Sequence, residues 1–231
     1  MPLFPDNPYP GRGLAVGLND AGDQAVVVYW LMGRSPSSQA RRMTAVGDDV
    51  LVGPTGEPDP EHPALIYYRA FGRVGERFVI SNGDQTDTIV DGLRGGESFE
   101  AALAARSHEP DEPHFTSRVS ALVDLTEGAA RFTLSRISAA PGDPARSVHA
   151  TFAFEECPAG SSYGLHTYAG DGNPLPPMTG APIHVPLHGD LDAIANFVWA
   201  ELAGPFRVAL AVIGIDRATL AVDRRFRHAT D

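Results

Sequence analysis

Short apolar runs broken by Gly, Asn, Asp and Pro dominate the chain, and their lengths are those of strands. Such runs lie at 13–18, 25–32, 64–71, 77–81, 118–125, 129–137, 148–155, 162–168, 207–215 and 218–224. They are rich in the β-branched and aromatic side chains that suit a pleated surface. Two of them, AVVVYWLM at 25–32 and RVALAVIGI at 207–215, are apolar on both faces of the strand. That pattern predicts sheets covered on both sides. The spacers Asn19–Asp23 and Gly72–Glu76 have the composition of hairpin turns.

Three segments carry the helical period instead. In DLDAIANFVWAEL at 190–202, Leu191, Ile194, Ala195, Val198 and Leu202 form one stripe, and Gly204-Pro205 ends it. The segment 84–93 opens with Asp84 in an N-cap position, and the segment 97–106 starts near Ser98. About ten strands joined mostly by hairpins, with three helices, predict an α+β fold with antiparallel sheets. Two sheets stacked face to face, with the helices outside, would cover every apolar face. The Pro- and Gly-rich stretches at 53–63, 107–114, 139–146 and 170–182 are too short for linkers and are expected to be loops. One domain over 1–231 is therefore expected.

Composition narrows the chemistry. The 231 residues carry 18 basic side chains against 29 acidic ones, a net charge of -11, and all of the basic residues are arginine. A chain without lysine has no Schiff-base chemistry, no Walker-type phosphate lysine and no lysine general base. Any anionic ligand must be held by Arg or by backbone N–H groups. The acid excess argues against nucleic acid or an anionic membrane as partner. Cys157 stands alone, so no intrachain disulfide or CxxC motif is available. The first residues lack the basic-then-apolar pattern of a secretory leader, and a cytoplasmic address is expected.

Four segments concentrate chemistry. Gly33–Arg42 places Arg34, Arg41 and Arg42 with Ser35, Ser37 and Ser38 at the end of an apolar strand. The planar guanidinium fork matches phosphate or carboxylate, so this is either an anion site or a solvated loop. Ile80–Asp87 joins a strand to a helix, and Asn82-Gly83 permits a backbone turned toward a ligand; capping by Asp84 explains the same residues. His108–His114 holds two histidines among carboxylates. Its prolines preclude a helical ligand pair, which leaves Glu109 as an acid–base candidate beside Thr116, Ser117 and Arg118. His166–Pro174 contains Asp171-Gly172-Asn173, without the oxygen spacing or terminal Glu of a calcium loop, and reads as a turn. No GxSxG elbow or strand-linked GxGxxG is present.

Taken together, these segments resemble the archaeal-type IMP cyclohydrolase family, which has bacterial members. The resemblance is carried by NPYPGRGLAVG at 7–17, MGRSPSSQARR at 32–42, HPALIYY at 62–68, ISNGDQTDTI at 80–89, EPDEPHFTSRVSAL at 109–122 and HTYAGDGNPLP at 166–176. It covers most of the chain up to about residue 185 and departs from the family pattern at Arg69, His114 and Ser117. It implies a four-layer αββα sandwich like that of N-terminal nucleophile hydrolases, without their nucleophile, since the chain opens Met1-Pro2. It also implies a cyclohydrolase that closes 5-formamidoimidazole-4-carboxamide ribonucleotide to inosine monophosphate with loss of water in purine biosynthesis. The partner is then a purine nucleotide, with no metal or other cofactor, and the resemblance allows a homo-oligomer.

Residue roles are carried over from the same resemblance. Arg34 matches the family's loop arginine, expected to bind phosphate or polarise the formyl oxygen, with Arg41 in support and Ser35 and Ser38 beside them. Tyr68 is the oxyanion donor, with the adjacent Tyr67 competing for that register, and Glu109 moves the proton. Asn82, Gly83, Thr86 and Asp87 are expected to position the imidazole or ribose. Thr116, Arg118, Tyr168 and Asp171 complete the binding set. Two other readings stand beside this one. A protein could keep the nucleotide pocket without the chemistry or with a changed substrate, and an amide hydrolase could use a self-exposed Ser161 or Cys157.

Overall fold

The strand with the most continuous apolar run lies inside a sheet covered on both sides, and the alternation of its side chains shows why. The computed structural model describes residues 3–56, 66–155 and 157–231. One sheet contains β1 (Gly13–Leu18), β2 (Gln24–Met32), β10 (Ser161–His166), β11 (Ile183–Pro186), β12 (Arg207–Asp216) and β13 (Val222–His228), in the order β11-β10-β1-β2-β12-β13. The other is a meander in chain order: β3 (Arg41–Val46), β4 (Asp49–Pro54), β5 (Tyr68–Val74), β6 (Arg77–Ser81), β7 (Arg118–Asp124), β8 (Arg131–Ala140) and β9 (Asp143–Phe154). Every strand pair is antiparallel.

On β2, Val27, Tyr29 and Leu31 face the other sheet and meet Phe71, Phe78, Phe132 and Leu134 in the intersheet core. Val26, Val28, Trp30 and Met32 face the opposite way, against α4 (Leu191–Glu201). The same alternation in the second sheet sends Phe78 and Ile80 inward. It sends Val79 and Leu122 out beneath α2 (Gln85–Arg94) and α3 (Phe99–Leu103). The layers are therefore helix, sheet, sheet, helices: an α+β sandwich. Each large apolar side chain buried this way contributes about 1.5–3 kcal/mol. No helix among the described residues is long and apolar enough to cross a membrane.

Local chemistry sets the helix ends. Asp190 and Ser98 cap α4 and α3 by accepting from Ala193 N at 2.8 Å and Ala101 N at 3.1 Å. Asp84 is the N-cap residue of α2, as expected from sequence, but its side chain makes no capping hydrogen bond. Its Oδ1 accepts from Arg106 and Arg118 instead, at 2.6 Å each, and two charge-assisted bonds outcompete one backbone N–H. A short helix α1 (Pro36–Gln39) and the hairpin β3–β4 occupy a region for which the sequence predicted neither helix nor strand, and Gly72 lies within β5 while the turn falls at Gly75, φ 61°. The 139–146 stretch is the tip of the β8–β9 ribbon. The first part of the 64–71 run and most of the 53–63 stretch lie outside the described residues.

Candidate active site

At the end of the sandwich where β1, β5 and β7 begin and β2 and β10 finish, the two sheets border a cavity of about 270 Å³. Its floor is an ion pair. Arg12 Nη2 donates to Glu109 Oε2 at 2.5 Å, and Nη1 donates to the Asn82 carbonyl at 2.7 Å. Glu109 is 2% exposed. Its Oε1 is buried and has no hydrogen-bond partner among the described residues. The next cation, Arg118 Nη1, stands 4.0 Å away and is occupied by Asp84 and by Gln85 Oε1 at 2.8 Å. Burial pushes the Glu109 carboxyl above the usual range, while Arg12 and, less strongly, Arg118 pull it part of the way back. Burial alone would weaken the hold of Arg12 on its proton, but Glu109, with help from Tyr68 and Tyr168, more than reverses this.

The backbone before Arg12 explains its placement. Gly11 has φ 72°, and a Cβ there would lie 2.2 Å from Thr167 Oγ1 and 2.5 Å from the Tyr168 ring. Only glycine allows this approach. The Arg12 N–H then donates to Thr167 Oγ1 at 3.2 Å, which aims the guanidinium inward. Glu109 is held by its own N–H on the Thr116 carbonyl at 2.9 Å. The Thr116 hydroxyl bonds both Asp111 Oδ2 and the Tyr168 hydroxyl.

One wall holds a second buried guanidinium. Arg41 Nε donates to the Ser38 carbonyl at 2.8 Å, and Nη2 reaches the Met32 carbonyl at 3.4 Å. Among the described residues no carboxylate pairs with it. Burial lowers its proton affinity, as physics requires of a cation held out of water without a counterion. Ser35, Ser37 and Ser38 line the cavity beside it. Ser35 is the N-cap of α1, and its N–H donates to Ser38 Oγ at 2.9 Å.

Arg34 lies over the Tyr9 ring, 5.2 Å from its centroid, and Tyr9 lines the cavity. Its Nη1 donates to Asp171 Oδ1 at 2.5 Å and to the Gly172 carbonyl at 2.8 Å. The charge of Arg34 is thus already answered, whereas that of Arg41 is not. Tyr68 does not line the cavity; its hydroxyl is 2.6 Å from that of Tyr29.

Six of the residues expected from sequence line the cavity directly: Ser35, Ser38, Arg41, Glu109, Thr116 and Tyr168. Arg34 and Asp171 pair with each other beside it, and Arg118 backs Glu109. The NGDQTD segment supports the floor from behind. The Asn82 side chain accepts from Val119 N at 2.9 Å and Gln85 Nε2 at 2.8 Å, and donates to the Ser117 carbonyl at 2.9 Å. A Cβ on Gly83 would stand 3.3 Å from Glu109 Oε1 and 3.1 Å from Arg118 Nη1. The Thr86 hydroxyl donates to the Gly83 carbonyl at 3.2 Å. Asp87 is exposed on α2, 3.1 Å from Arg69 Nε. Thus Asn82, Thr86 and Asp87 are not brought to the cavity.

Arg12, Tyr9 and Asp111 line the cavity without having been singled out from sequence, and Ser37 of the serine loop joins Ser35 and Ser38 there. For Arg12 a signal existed, since Gly11-Arg12-Gly13 flanks one charge with two residues that tolerate close approach. The departures at Arg69, His114 and Ser117 all have partners: Arg69 pairs with Asp49 and Asp87. His114 Nδ1 accepts from Leu175 N at 3.1 Å, and Ser117 Oγ meets Ser138 Oγ at 2.9 Å. Ser161 and Cys157 lie at the far end of β10. There Ser161 Oγ is 2.6 Å from His184 Nε2, and the Cys157 thiol donates to the Ser161 carbonyl at 3.0 Å.

A cavity walled by an unanswered guanidinium and floored by a buried carboxylate, at one end of an αββα sandwich, suits a small anion with a proton to give up. The comparisons agree on the kind of protein. The family described as IMP cyclohydrolase-like protein matches residues 9–218, and the chain belongs to that family. Over 119 residues it is 34% identical to the IMP cyclohydrolase of Methanothrix thermoacetophila. That stretch is 50% of this chain and 57% of the relative, so the match spans little more than half of that protein.

Proposed function

We propose that the chain is an IMP cyclohydrolase acting in this cavity on 5-formamidoimidazole-4-carboxamide ribonucleotide. The observation that carries the reading is Glu109: a carboxylate held in place by one oxygen while the other, buried and unbonded among the described residues, faces no competing donor. Family membership and the name of the archaeal relative support the same activity.

The chemistry follows from the parts. Arg41 and the serines take the 5′-phosphate, since a buried cation without a counterion gains most from a dianion. The carboxamide nitrogen attacks the formyl carbon, forming the C–N bond of the new ring while Glu109 accepts one amide proton. The formyl oxygen gains negative charge as its C=O bond opens, and the Arg12 guanidinium on the cavity floor offsets that charge. Glu109 returns its proton to the departing oxygen. The formamido N–H proton completes the water as a C=N bond forms between that nitrogen and the former formyl carbon. Because the reaction is intramolecular, much of the acceleration comes from holding the two arms together.

The test is absorbance-monitored formation of inosine monophosphate by purified protein, with and without chelator. Turnover unaffected by chelator is expected, with Glu109→Gln lowering kcat about 10²–10⁴-fold at nearly unchanged KM. Wild-type protein that binds the nucleotide in calorimetry without converting it would sink the enzymatic reading and leave a nucleotide-binding protein.

A further inference from the structure

Asp111, Thr116 and Tyr168 all line the cavity, and a chain of hydrogen bonds joins them. The Thr116 N–H donates to Asp111 Oδ1 at 2.7 Å. The Thr116 hydroxyl meets Asp111 Oδ2 on one side and the Tyr168 hydroxyl on the other. An amide N–H only donates and an ionised carboxylate only accepts, so the Thr116 hydroxyl proton lies on Asp111. Two hydroxyl oxygens in hydrogen-bond contact need a proton between them. Thr116 has no other to give, so that proton belongs to Tyr168. The direction is fixed throughout: Tyr168 donates to Thr116, and Thr116 donates to Asp111.

That direction sets what the cavity offers a ligand. The charges of Arg12, Asp111 and Glu109 all act on the Tyr168 hydroxyl, which places it at the cavity floor. Among the described residues its oxygen has no partner besides Thr116; Arg12 donates to Glu109 and to the Asn82 carbonyl instead. With its proton engaged, the hydroxyl meets a ligand through lone pairs alone. The other unpartnered atom of the floor, Glu109 Oε1, is also an acceptor. Two acceptors on one floor call for a ligand group with two N–H donors, and a primary amide is such a group. A carboxylate would set lone pairs against lone pairs.

We propose that Asp111 is a positioning residue that determines specificity: by holding the Thr116 proton it keeps the Tyr168 hydroxyl an acceptor, so that the cavity selects a primary carboxamide over a carboxylate. The ligand class rests on the function proposed above; the direction of the chain does not. Under that function one carboxamide N–H gives its proton to Glu109, and the other meets Tyr168 and stays in the product ring.

Two measurements separate these claims. In the resting protein labelled with ¹³C-tyrosine, the Tyr168 hydroxyl proton should be protected from exchange, coupled to its own ring carbons and absent from Tyr168→Phe. In Asp111→Asn the amide oxygen stays on the Thr116 N–H, so its NH₂ donates to the Thr116 hydroxyl. The chain then reverses, and the protection should disappear. A Tyr168 proton unprotected in wild type, or still protected in Asp111→Asn, overturns the inference whether or not the protein is an enzyme. Calorimetry then compares imidazole-4-carboxamide ribonucleotide with the 4-carboxylate. Wild type should favour the carboxamide. Asp111→Asn should shift the affinity ratio toward the carboxylate about 10–100-fold, the range for a hydrogen bond made against one left unmade. Thr116→Val keeps the Asp111 charge but frees the Tyr168 proton, so it should shift the ratio the same way. On a Tyr168→Phe background most of both shifts should vanish. Shifts of full size there, or equal weakening of both ligands in Asp111→Asn, would refute the relay. Wild-type protein that binds neither ribonucleotide yet keeps the protected Tyr168 proton would overturn the proposed function and leave the direction of the chain standing.

Discussion

Replacing Arg12 by Met keeps most of the side-chain length and removes the charge that pairs with Glu109. Both members are buried, and the contact is 2.5 Å. Removing one partner of such a pair costs about 3–5 kcal/mol, because the other charge is left buried without compensation. The Asn82 carbonyl also loses its donor, which adds about 1 kcal/mol. The cost must depend on pH, with a definite sign. Burial already places the folded-state pKa of Glu109 above its unfolded value, and loss of Arg12 raises it further. A carboxyl of this kind favours folding while it is protonated. That advantage disappears as pH rises from the unfolded value through the folded one. The deficit of Arg12→Met relative to wild type should therefore be largest near pH 8 and shrink by more than about 1 kcal/mol toward pH 5. Urea unfolding followed by tryptophan fluorescence measures it, since Trp30 lies in the core cluster around α4 and Trp199 packs against that cluster. Adding Glu109→Gln to the variant should recover part of the loss at pH 8. A deficit independent of pH, or one that grows in acid, would refute the claim that an ionised Glu109 is what Arg12 holds.

Two further outcomes follow from other buried groups. His166 donates from Nδ1 to the Tyr168 carbonyl at 3.0 Å, and burial pushes its pKa from 6.5 down to about 4. Its neutral form stabilises the fold above the unfolded value, and about 3 kcal/mol is lost as pH falls from 6.5 toward 4. His166→Gln should flatten the stability-versus-pH curve over that window, and identical curves would refute the assignment. Arg41→Met should weaken inosine monophosphate binding about 10–100-fold, the range for a charge-assisted contact, and leave inosine binding unchanged. Arg34→Ala, whose charge Asp171 already answers, should weaken the nucleotide less; equal losses for nucleotide and nucleoside in the Arg41 variant would show that it does not meet the phosphate.

The sandwich was largely legible in the sequence because its strands are apolar on both faces and its main helices carry clear stripes. The β3–β4 hairpin was not, since Arg41-Arg42 opens β3 where an apolar run would normally announce a strand. The site was legible in parts. Glu109 and Arg41 stand out as a charge among prolines and a charge after an apolar strand. The Arg12–Glu109 pair could not be read off, because 97 residues separate its members and only the stacking of the sheets joins them. Asn82 and Thr86 drew attention as polar residues at a helix start. Their polarity is spent on backbone groups of β5–β7, a use that looks the same as ligand binding until the partners are seen.

Arg12 immediately precedes β1 of one sheet, which also carries Tyr29, and Glu109 sits in the loop leading into β7 of the other, which carries Arg118 and Tyr68. The site is thus a caliper whose jaws are the sheets and whose opening is the thickness of the apolar layer between them, about 10 Å in sandwiches of this kind. Packing of residues such as Val27, Phe71 and Leu134 becomes a length standard for the chemistry. A substitution that swells or thins this layer changes the grip of Arg12 on Glu109 and of Tyr29 on Tyr68 without touching either pair.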